Sequence, residues 1–110
     1  MSATQYVFPD LPDPVPLHLG SGFYRITPER AGAILANNKT RNRPLTSVKV
    51  RRLIRDLKEG RWRLNGESVI FTNAGDVHDA HHRLTACRDS GVAITSLVAF
   101  GIEPQTFSTV

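Results

Sequence analysis

Val50, Leu53, Ile54 and Leu57 fall at i, i+3, i+4 and i+7, and every other residue between Val50 and Leu57 is charged. That pattern predicts a helix with one apolar face, running from about Ser47 to Glu59 and stopped by Gly60. Such a helix owes its stability to what its stripe packs against, so the rest of the chain must supply a core. A chain of 110 residues can bury one such core without metal or disulfide staples. The single cysteine, Cys87, excludes an internal disulfide framework and a multi-cysteine zinc site. Apolar stretches are only a few residues long, too short for a membrane span. The first twenty residues are acidic and broken by proline, unlike a secretory signal. No membrane partner and a cytoplasmic, reducing location are therefore expected.

The other elements are short. Pro9, Pro12, Pro14 and Pro16 forbid a helix and favour an extended arm, placed at residues 1–22, with Leu11, Val15 and Leu17 available to pack on the body. A strand is predicted at Phe23–Ile26. Thr27-Pro28-Glu29 begins a helix with a capping hydroxyl, a proline at the first helical position and a carboxylate near the positive end of the dipole. Ala31, Ile34 and Leu35 form its inner face and Asn37-Asn38 end it. Short strands are predicted at Trp62–Leu64 and Ser68–Thr72, with Asn73-Ala74-Gly75-Asp76 as a hairpin turn. Asp79 is expected to cap a third helix through about Asp89, with Leu84 and Cys87 facing inward and Gly91 beyond its end. Ala93–Phe100 is apolar and strand-like. The result is a single small α+β domain over residues 23–110, a short mixed sheet with about three helices.

Charge is unevenly placed. Lys39–Arg63 holds ten of the fourteen basic residues against Asp56 and Glu59 alone, so it carries +8 while the rest of the chain carries −4. Such asymmetry suits a phosphate-bearing partner, nucleic acid or nucleotide. Lys49, Arg51, Arg52 and Arg55 on the amphipathic helix are the candidate nucleic-acid contacts. The same patch also suits an anionic surface or a solvated face.

The densest chemistry lies in Asp76-Val77-His78-Asp79-Ala80-His81-His82-Arg83-Leu84, where a strand ends and a helix begins. A helix start attracts anions through its N–H groups, and an arginine fork adds charge-assisted bonds to phosphate oxygens. Ala80, His81, His82 and Arg83 are the candidate phosphate ligands here. Asp79 could orient a histidine, hold a divalent cation, or serve only as a cap. His78 and His82 are four apart, but a helix boundary between them and the lack of converging ligands argue against zinc. Glu67, in Asn65-Gly66-Glu67, is a base, a metal ligand or a surface turn residue. Cys87 reads as a buried inert thiol, and Trp62 and Phe71 as core. The loop between the first two helices, containing Pro44, is longer than the turn of a helix-turn-helix.

Three segments, Asn42-Arg43-Pro44-Leu45, Trp62-Arg63-Leu64-Asn65-Gly66-Glu67 and Asp79-Ala80-His81-His82-Arg83-Leu84, resemble the ParB-like domain proteins of actinobacteria and their phages. Those carry N-R-P-L, W-x-x-N-G-E and an Asp-Gly-Gln-His-Arg-Leu signature before a helix. The resemblance runs from about Ile26 to Phe107 and implies the wider ParB/sulfiredoxin superfamily, whose members include partition-protein nucleotide-binding domains, sulfiredoxins and a free-serine kinase. It implies nucleotide phosphate bound at Ala80–Arg83, with Arg43 as a further contact. Two positions depart from the signature. Ala80 stands for glycine, so either the backbone there has an ordinary negative φ or the phosphate loop is altered. His81 stands for glutamine, at the position of the sulfiredoxin cysteine, which excludes sulfinic-acid repair by that residue. Nothing after Phe107 corresponds to the DNA-reading and dimerisation regions of partition proteins, so centromere partitioning is not expected.

The leading expectation is a phosphate-binding domain acting on nucleic acid or nucleotide, resembling ParB-like nucleases. Glu67 and His82 are then the acid–base pair, with Asp79 orienting them or holding Mg²⁺. The alternatives are a nucleotide-dependent small-molecule kinase, using a nucleoside triphosphate and Mg²⁺, and a non-catalytic module that binds DNA or a host protein.

Overall fold

The structure is a computed structural model, and it describes residues 8–38, 47–61 and 68–103, with the side chain of Asp79 excepted. Its elements run β1 (Gly20–Ile26), α1 (Pro28–Ala36), α2 (Ser47–Lys58), β2 (Ser68–Thr72), β3 (Val77–Asp79), α3 (His81–Ser90) and β4 (Ile94–Ile102). The strands form one mixed sheet in the order β1-β4-β2-β3. β4 is antiparallel to β1 and parallel to β2, and β3 returns antiparallel along β2. This is the small α+β architecture expected from the sequence. Asp79 ends β3, so the predicted cap role passes to Ala80. The boundary drawn at residue 22 falls inside β1, and the strand predicted at Trp62–Leu64 lies outside the described residues.

One cluster makes the core. Alternate residues of β4, Ile94, Ser96, Val98 and Phe100, are buried, and Ile26, Val69, Phe71 and Val77 join them from the other strands. α3 supplies Leu84, Ala86 and Cys87 and packs between α1 and α2. The predicted stripe of α2 closes the layer: Val50 and Leu57 are buried, and Leu53 and Ile54 pack partly buried against the cluster. Thr27 caps α1 as expected, its hydroxyl accepting from the Arg30 N–H at 3.2 Å. α2 ends on Gly60 at φ 72°. The Gly60 N–H donates to the Leu57 carbonyl and the Arg61 N–H to the Asp56 carbonyl, at 3.2 and 2.8 Å, the paired bonds of a Schellman turn.

Both edges of the sheet are covered. At the β1 edge the proline arm pairs with Arg25: the Leu11 N–H donates to the Arg25 carbonyl at 3.0 Å, and the Arg25 N–H to the Pro9 carbonyl at 2.8 Å. Leu11 is buried, and the Arg30 guanidinium holds the Leu11 and Pro12 carbonyls at 2.8 and 2.6 Å. The described part of the arm is thus bound to the body through backbone bonds. At the β3 edge the Asn38 side chain acts as a short strand, accepting from the Val77 N–H at 3.1 Å and donating to the Val77 carbonyl at 3.5 Å. Exposed strand edges invite pairing with other chains, and these contacts blunt both. No described helix is long and apolar enough to cross a membrane.

Candidate functional site at the β3–α3 junction

The site is built on a backbone irregularity. Ala80, between β3 and α3, has φ 86° and ψ 26°, and is the only non-glycine residue with positive φ among those described. Of the two alternatives the sequence left open, the ordinary negative φ does not hold: Ala80 takes the left-handed conformation that glycine adopts more readily. A Cβ there costs on the order of 1–2 kcal/mol. The local packing supports it, since Ala80 is 5% exposed and its carbonyl accepts the Leu84 N–H at 2.9 Å, starting α3. No side-chain cap is made at Ala80. The first N–H groups of a helix have no i−4 carbonyl, and a helix start is a general place for an anion.

The side chains divide. His81 is buried, at 5% exposed. His82 and Arg83 are half-buried at the surface. Burial holds the His82 imidazole below its ordinary pKa, and the nearby Lys49 ammonium pushes it further down by repulsion. His82 is thus neutral at pH 7, able to accept a proton or a hydrogen bond. The Arg83 guanidinium donates to the Ser68 carbonyl at 2.9 Å, a tie between α3 and the start of β2 that the sequence did not reveal. It gives Arg83 a structural task beside any ligand contact.

Three described contacts relate the signature segments to this junction. Asn38, just before residues 39–46, is bonded to Val77. Lys49, just after them on α2, lies within electrostatic reach of His82. Ser68, immediately after residues 62–67, is bonded by Arg83. The flanks of the first two signature segments therefore meet the third. Arg43 and Glu67 themselves lie outside the described residues, and of Asp79 only the backbone is described, paired opposite Ile70. Asn38 escaped the sequence reading because an asparagine after a helix ordinarily marks only its end.

The basic residues of α2 also divide. At 100° per residue, Arg51, Arg55 and Lys58 form a ridge on one flank, and Lys49 lies about 120–180° round the helix from them. All are exposed, as is Arg52. Lys49 thus lies on the His82 side of α2, apart from Arg51, Arg55 and Lys58. His78 sits in β3 and His82 in α3, so the two do not share a helix face. Among the described residues no three His, Cys, Asp or Glu side chains converge as metal ligands would.

Fold and site together define a small mixed-sheet α+β domain with a strained strand-to-helix turn beside a basic helix. Comparison with family models, with curated proteins and with solved structures finds no match.

Proposed function

We propose that this chain is a phosphate-binding domain acting on nucleotide or nucleic acid, as its resemblance to ParB-like nucleases implies. The observation that supports it best is the left-handed Ala80 at the start of α3 with neutral His82 and cationic Lys49 beside it. Phosphate oxygens would take N–H groups of the first turn and the charge of Lys49. Arg83 adds charge at the same end of the helix. His82, kept unprotonated, is suited to accept the proton of an attacking hydroxyl or water. If the domain cleaves or transfers phosphate, His82 is the described residue best placed to serve as base, with Glu67 its proposed partner. The exposed ridge of α2 would meet a polyanion's backbone. A non-catalytic binding module remains the second reading, favoured by the burial of His81 where the resembled signature carries glutamine.

The test is a thermal-shift panel of ATP, ADP, CTP, GTP and a short DNA duplex, each with and without Mg²⁺. A ligand at 100 times its Kd stabilises by about 2.7 kcal/mol. Because Arg83 also holds Ser68, the variants are His82→Gln and Lys49→Gln as well as Arg83→Ala. A nucleotide shift in the wild type that weakens in Lys49→Gln supports the site. A shift unchanged in all three variants overturns it.

A further inference from the structure

The acidic residues at the end of α2 and just after it are placed where they should quench its arginines. Asp56 is four residues after Arg52, and Glu59 four after Arg55, the spacing at which opposite charges pair along a helix. Neither pair forms. The Schellman turn brings Arg61 back over the end of the helix, and its guanidinium takes both acids: Nη2 and Nε lie 2.9 and 3.3 Å from Asp56 Oδ1, and Nη1 lies 2.9 Å from Glu59 Oε1. Arg51, Arg52, Arg55 and Lys58 make no ion pair with any described residue.

We infer that Arg61 is a positioning residue which, by occupying Asp56 and Glu59, leaves Arg52 and Arg55 available to the phosphate backbone of duplex DNA. The inference rests on the reading of α2 as a nucleic-acid face. A duplex is the occupant the surface fits. Guanidinium groups pair phosphate oxygens in a fork. α2 itself carries no aromatic side chain for stacking the bases of a single strand, and its apolar stripe is turned into the core, leaving Val48 as the one large apolar side chain it exposes, too little to insert into a lipid surface.

The experiment is the salt dependence of binding to a labelled DNA duplex, followed by fluorescence anisotropy between about 50 and 200 mM salt, where each phosphate contact contributes about −0.9 to the log–log slope. The proteins are the wild type, Arg61→Gln, and Arg61→Gln combined with Asp56→Asn and Glu59→Gln. With Arg61 removed, Asp56 and Glu59 recapture Arg52 and Arg55, and the slope flattens by about 1.8, two contacts. The triple variant restores the wild-type slope although Arg61 is still absent. Such rescue is foreign to a residue that only stabilises the fold, and circular dichroism checks that each variant is folded. A slope unchanged by Arg61→Gln overturns the inference alone. So does a loss of about 0.9 that the triple variant fails to restore, which would make Arg61 a direct phosphate contact. A wild type that ignores the duplex, or prefers polyglutamate to it, overturns both the nucleic-acid reading of α2 and the inference built on it.

Discussion

Ala80 shows how much a single residue can carry. Its φ of 86° is unfavourable for any side chain, so substitutions there separate strain from packing. Ala80→Gly relieves strain but gives the unfolded chain more freedom, and is expected to stay within about 1 kcal/mol of the wild type. Ala80→Val adds a branched Cβ to a left-handed backbone and is expected to cost more than about 2 kcal/mol in a denaturant melt. Gly101 combines φ 72° with a close approach, since a Cβ there would overlap the His18 carbonyl. Gly101→Ala is expected to lower the melting temperature markedly, as flexible side-chain movement cannot relieve a backbone clash. Cys87 is fully buried, its thiol donating to the Ile26 carbonyl at 3.4 Å, and burial raises its pKa from 9.0 to about 11. The unfolded thiol ionises first, so stability present below pH 9 is lost between pH 9 and about 11. The fall is on the order of 2–3 kcal/mol, and Cys87→Ala should remove that part of the alkaline decline. His82 has the opposite direction: its folded pKa is lowered, so the unfolded state gains its proton first and stability falls as pH drops below the ordinary histidine value.

At the scale of elements, periodicity and caps were legible and long-range ties were not. The stripe of α2, the Thr27 cap of α1 and the glycine stops at Gly60 and Gly91 follow from local chemistry, and each stands where the sequence placed it. The cap of α3 was misplaced by one residue because an aspartate beside a helix start is the commonest cap, whereas here β3 extends through Asp79. β1 begins three residues earlier than its apolar run, since Gly20, Ser21 and Gly22 have little strand propensity but pair in register with Phe100, Ala99 and Val98. The bonds of Asn38 to Val77 and of Arg83 to Ser68 join residues 39 and 15 apart in sequence, and no local pattern announces them. Asn38→Ala leaves the Val77 N–H and carbonyl without this partner and is expected to cost about 1–3 kcal/mol. Hydrogen exchange would show the loss as faster exchange of the Val77 amide.

Over the whole molecule, one mixed sheet and three helices share a single core, and the candidate phosphate site lies where β3 passes into α3. The described part of the +8 stretch from Lys39 to Arg63 is spread over separate places. Lys49 stands with His82, Arg61 is spent on Asp56 and Glu59, and the ridge from Arg51 to Lys58 faces outward. The two proposed binding functions would occupy separate surfaces, and they should respond separately. Arg51→Gln with Arg55→Gln is expected to weaken duplex binding while leaving nucleotide affinity within about twofold, since exposed charges across the helix are largely screened at physiological salt. The measurement that tests the central claim most directly is a titration of ¹⁵N-labelled protein with ATP, read residue by residue in its amide spectrum. Shifts centred on Ala80–Arg83 and reaching Lys49 are the expected result. Shifts confined to the outer ridge of α2, or scattered without reaching the start of α3, would contradict the phosphate site.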